Sequence, residues 1–180
     1  MSTYQFPLTC LYGNYGVLSQ LGDKPRMAVL VCTDNEAPYP MKNDFGAWLQ
    51  MPFMDITPNP LEARLWHMAE ATSTTQWAQW MLNTPWMSQW SGRNGFPYRP
   101  FTVVHAQRIW QWLAQTVLTE PRIQQVGIYC EYGKSRSRAL AAVLNGAARQ
   151  GNPWVYDLFA RTRPEHLPNK YVHDGPLQRF

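Results

Sequence analysis

Val126-Gly-Ile-Tyr-Cys-Glu-Tyr-Gly-Lys-Ser-Arg-Ser-Arg-Ala-Leu-Ala-Ala-Val-Leu144 is the stretch that decides how this chain is read. Val126 to Tyr129 is a short apolar run of the kind that forms a buried strand, Cys130 opens a polar loop, and the Ala/Leu-rich segment beyond predicts a helix carried on to a stopping Gly151. Where a strand turns through a loop into a helix, the loop N–H groups and the unpaired N–H groups of the first helical turn converge, and the helix dipole favours negative charge. The junction is therefore an anion site in outline.

Three side chains add reactivity to that outline. Cys130 stands at the positive end, where a thiolate is favoured over a thiol and becomes a nucleophile at neutral pH. Arg136 brings a planar fork that can hold two oxygens of a tetrahedral anion above the sulfur, which a lysine could not do in the same way. The Ser137 hydroxyl can reach back to the sulfur and stabilise it as a leaving group. A plainer account makes Cys130 a small core residue and Arg136 a solvated helix residue. A nucleotide-binding loop ending in Gly133-Lys134-Ser135 would need glycine where Ile128 stands, and Gly127 is one position too far.

The pattern Cys-(x)5-Arg-Ser between strand and helix, here Cys130 to Ser137, resembles the phosphate-binding loop of the cysteine-dependent protein tyrosine and dual-specificity phosphatases. The resemblance implies that Cys130 is the nucleophile, and that Arg136 and the N–H groups of Glu131, Tyr132, Gly133, Lys134 and Ser135 bind the phosphate. It also implies a general-acid aspartate on a loop upstream. Asp55, the one ionisable group of Pro52-Phe-Met-Asp-Ile-Thr-Pro-Asn-Pro60, matches that position; its other reading is an aspartate capping the next helix. The chain departs from the family at Tyr129, where most members have histidine. A phenol cannot supply the same positive charge, so the resemblance predicts a Cys130 pKa less depressed than in relatives, and a Tyr129→His variant more active between pH 5 and 6.

Size and composition bound the reading. One domain of 180 residues, 45% of them hydrophobic, can bury a core of its own. The three cysteines are far apart and lack CxxC or HxxxH spacing, so neither a disulfide scaffold nor a metal site is indicated, and no cofactor is called for. There is neither a membrane-length apolar run nor a signal-peptide pattern, which predicts a cytoplasmic protein without a membrane partner. The net charge of +4 is concentrated. Residues 130–150 carry Lys134, Arg136, Arg138 and Arg149 against Glu131 alone, whereas residues 1–56 are net acidic. That distribution suits a phosphorylated protein or a small phosphomonoester better than a nucleic-acid surface.

Along the chain, residues 3–21 predict a hairpin or two edge strands turning at Gly13-Asn-Tyr-Gly16. Met27 to Cys32 predicts a strand buried on both faces, and Trp48 to Met51 a further strand. Cys32, at the carboxyl end of its strand, is expected beside Cys130 and able to form a disulfide with it, or else is inert. Residues of about 57–98 form a Trp-rich helical insertion, read either as amphipathic helices packed on the domain or as a lid beside the pocket. Base stacking on those tryptophans lacks interleaved basic residues. Pro100 to Leu118 predicts a long helix carrying a surface or core-edge His105, and Asn152-Pro153 caps a last helix running to Arg161.

The expected fold is a single α/β domain, residues 1–180, with a mostly parallel central sheet, helices on both faces and the site at the carboxyl end of the Val126 to Tyr129 strand. The expected activity is phosphomonoester hydrolysis through a phosphocysteine. The alternatives are a small-molecule, phosphoinositide or RNA 5′-phosphatase, or a module that binds a phosphorylated residue without catalysis.

Overall fold

The structure, a computed structural model, describes residues 6–34, 38–58, 100–165 and 167. Most of the expected Trp-rich insertion and most of the C-terminal segment lie outside these residues.

Among the described residues, four strands form one parallel sheet: β1 (Thr9–Asn14), β2 (Met27–Thr33), β3 (Ala47–Pro52) and β4 (Gln125–Cys130), in the order β1-β4-β2-β3. Every residue of β2 is buried, and so is every residue of β4 after Gln125. This is why both strands read as continuous apolar runs rather than alternating ones. Because all four strands point the same way, their carboxyl ends share one edge of the sheet, the edge at which open α/β sheets place their ligands.

Three α-helices are found among the described residues. Helix α1 (Val103–Trp112) runs on through a π-helical stretch, Leu113–Val117; α2 is Arg136–Leu144 and α3 is Pro153–Arg161. All three pack with Ala28, Leu30, Cys32, Val126, Ile128 and Cys130 in the larger core cluster, on one face of the sheet. Trp110 stacks on Phe159 at 4.1 Å and donates its indole N–H to Phe159 O at 3.2 Å, locking α1 to α3. Such a pair contributes about 0.5–1.5 kcal/mol beyond the area it buries. At the start of α1, His105 Nδ1 accepts the Thr102 N–H while Nε2 faces Pro52 O at 3.2 Å, so this buried histidine ties α1 to the end of β3.

Three expectations need correction. Residues 9–20 do not form a hairpin: the chain leaves β1 at Asn14 directly into a 3-10 helix, Tyr15–Gln20, and β1 pairs in parallel with β4. Among the described residues, α-helices lie on one face only, and on the other the helical part is the 3-10 helix Tyr15–Gln20. The second face carries Met27, Val29, Val31 and Tyr129 and is closed by Leu18, Phe45 and the surrounding Tyr15, Val17, Tyr39 and Trp48. Helix α2 ends at Leu144 rather than near Gly151, the chain turning through Asn145 and Gly146.

Candidate active site

Cys130 is the last residue of β4, between the carboxyl ends of β1 and β2, and Asn14 is its register partner. Its Sγ lies 3.1 Å from Ser137 Oγ. Burial by itself pushes this thiol up, but the Ser137 hydroxyl, the N–H groups of Ser137 and Gly133, and the Arg136 charge together outweigh it, and the net shift is downward. The loop closes tightly because Gly133 has φ +68° and lies against the end of β1. A Cβ at this position would sit 2.5 Å from both Asn14 N and Gly13 C. No side chain fits there, and the loop N–H groups can turn inward.

Arg136 opens α2 and is only 3% exposed. Its Nη1 donates to Asp34 Oδ1 at 2.5 Å and to Phe53 O at 2.7 Å, whereas its Nε is buried and has no hydrogen-bond partner. A buried, charged N–H without an acceptor is costly unless something is to occupy that edge. With one end of the fork anchored, the other edge is left for an oxyanion.

Asp55 lies on the loop after β3, and its Oδ1 accepts from Ser135 Oγ at 2.7 Å and from Asn152 Nδ2 at 2.8 Å. The upstream loop is thus docked on the loop that carries Cys130. Glu131, Tyr132 and Lys134 are exposed around the mouth, Tyr132 at 72%. The structure therefore brings together Cys130, Arg136, Ser137, Gly133, Ser135 and Asp55, all named from the sequence, and places Glu131, Tyr132 and Lys134 at the rim.

Sequence reasoning missed Asp34 and Asn152. Asp34 stands directly after a buried strand adjacent to β4, and that place was the signal. Tyr129 turns away from the sulfur into the second core cluster, among Leu18, Met27, Val29, Val31 and Phe45. Its ring folds back over Gly127, where a Cβ would come 2.5 Å from a ring carbon. Cys32 is one step beyond the last paired residues of β2 and β4, Val31 and Tyr129, and shares the larger core cluster with Cys130. Burial pushes the Cys32 thiol far up.

Among the described residues no group of three or more His, Cys, Asp or Glu side chains could hold a metal ion, and no helix is long and apolar enough to cross a membrane. Compared with protein-family models, curated proteins and solved structures, the chain matches none of them.

Proposed function

We propose that this chain is a phosphomonoester hydrolase of the cysteine-dependent protein tyrosine or dual-specificity type, working through a phosphocysteine intermediate. The observation that carries the reading is the pairing of Cys130, its thiol held down by Ser137, Gly133 and Arg136, with an Arg136 fork that is anchored at Nη1 and unpartnered at Nε. The Cys130 thiolate attacks phosphorus, and the bond to the leaving oxygen breaks as Asp55 gives that oxygen a proton. Loop N–H groups and the free edge of Arg136 hold the three non-bridging oxygens, whose charge they stabilise through the transition state. Asp55 then takes a proton from water, water attacks phosphorus, and the sulfur leaves as a thiolate beside the Ser137 hydroxyl.

The reading is tested by turnover of p-nitrophenyl phosphate. Wild type is expected to release phosphate, and Cys130→Ser and Arg136→Lys to lose the activity. Wild-type protein that binds inorganic phosphate or vanadate but hydrolyses no ester would instead assign a phosphate-binding module.

A further inference from the structure

Asn152 is bonded to both loops of this site and to α3, although it was read from the sequence only as a helix cap. It is 5% exposed and stands at the N-cap of α3, where its Oδ1 accepts the N–H groups of Trp154 at 3.0 Å and Val155 at 3.2 Å. Those two bonds fix the amide, because the oxygen must face the helix and the nitrogen must then face the other way. The nitrogen donates to Asp55 Oδ1 at 2.8 Å and to Ile56 O at 3.3 Å, and Thr57 Oγ1 reaches the same amide's Oδ1 at 3.4 Å. The backbone N–H of Asn152 donates to Ser135 O at 3.3 Å, and Ser135 Oγ closes the circuit to Asp55. One residue is thereby fastened to α3, to the Cys130 loop and to the Asp55 loop.

Resting on the phosphatase reading, we propose that Asn152 is the positioning residue of the general acid. Among the described residues, 53–58 around Asp55 hold no strand or helix that would orient it. Among the described residues, the donors to Asp55 both fall on Oδ1, which leaves Oδ2 as the oxygen to carry the transferable proton. A carboxyl group held in this way gives its proton without first being oriented, and such preorganisation is worth orders of magnitude when it is lost.

Serine and threonine also cap helices but lack the amide donor and bring no charge beside Asp55, so Asn152→Ser and Asn152→Thr separate the two roles. Both variants are expected to keep the wild-type melting temperature to within a few degrees. For phenyl phosphate, whose leaving group needs a proton, kcat/KM should fall roughly 10- to 100-fold. For dinitrophenyl phosphate, whose leaving group departs without one, the fall should stay within about threefold. In an Asp55→Ala background, Asn152→Ser should cost nothing further, because a residue that acts through another is silent once that other is gone.

Equal losses for both esters, or a loss undiminished in the Asp55→Ala background, would overturn the role of Asn152 and leave the phosphatase reading standing. A wild type that turns over neither ester would overturn the phosphatase reading and this role with it.

Discussion

Arg136 Nη1 donates to Asp34 Oδ1 across 2.5 Å, joining the first residue of α2 to the residue after β2, 102 positions away in the chain. The guanidinium is buried and Asp34 is half exposed. For Arg136, burial alone lowers the pKa, but Cys32 and Asp34 together outweigh it, and the net shift is upward. Asp34 accordingly acts on the orientation of the fork rather than on whether it is charged, since an arginine is protonated in any case.

Asp34→Ala and Asp34→Asn are therefore expected to loosen the fork. Stability should fall by about 1–2 kcal/mol, less than for a fully buried pair because water screens the exposed carboxylate. Affinity for vanadate should fall roughly tenfold, since the bidentate edge is no longer held in place. Denaturant unfolding and vanadate inhibition of the two variants check both figures.

The downward shift of Cys130 has a definite sign. A thiol whose folded pKa lies below its unfolded value contributes stability that is fully present above the unfolded pKa of about 8.5 and is lost as the pH falls through the folded value. The rate of iodoacetamide alkylation at Cys130 should accordingly have its midpoint below ~8.5. Ser137→Ala, which removes the hydroxyl 3.1 Å from the sulfur, should move the midpoint up. Titration of the alkylation rate against pH measures both.

Cys32, next to last in β2, and Cys130, last in β4, lie on neighbouring strands and in the same core cluster, so peroxide treatment should join them. Peroxide oxidises the Cys130 thiolate to a sulfenic acid, and the Cys32 sulfur then displaces water to give the disulfide. Burial holds Cys32 as a thiol, so the second step should be slow at neutral pH and quicken as the pH rises. Non-reducing peptide mapping of wild type and Cys32→Ser checks for the bond.

The packing of Tyr129 changes what is expected of Tyr129→His. The imidazole would enter the apolar cluster of Leu18, Val29, Val31 and Phe45, where burial disfavours its charged form. This variant should lose stability below pH 6, where the unfolded chain takes up a proton that the folded one resists, and should not gain turnover there. Melting curves and pH–rate profiles between pH 5 and 8 distinguish this outcome from the acid-side gain that the family pattern implies.

The sheet's central strands and the Cys130 loop were legible because they are local: an apolar run, a polar turn with a glycine, and the start of a helix follow one another within 19 residues of sequence. The first strand was misread because Gly13-Asn-Tyr-Gly16 has the composition of a hairpin turn. In the fold the same residues end a parallel edge strand and enter a 3-10 helix, with Asn14 extended and neither Gly13 nor Gly16 at positive φ. The apolar character of β2 says that both its faces are buried but not by what, and the 3-10 helix Tyr15–Gln20 together with Tyr39, Phe45 and Trp48 covers one of them. Asp34 and Asn152 were not legible as site residues, because their partners Arg136 and Asp55 lie 102 and 97 positions away. Only the shared carboxyl edge of a parallel sheet brings such positions together.

The central claim is that phosphate passes through the sulfur of Cys130, and rapid-quench peptide mass spectrometry during turnover of an activated aryl phosphate tests it most directly. Wild type should carry one phosphoryl group on the Cys130 peptide, Asp55→Ala should accumulate it because the base that activates water is gone, and Cys130→Ser should neither carry it nor turn over. Hydrolysis that proceeds with Cys130 unmodified, or that survives in Cys130→Ser, would contradict the account.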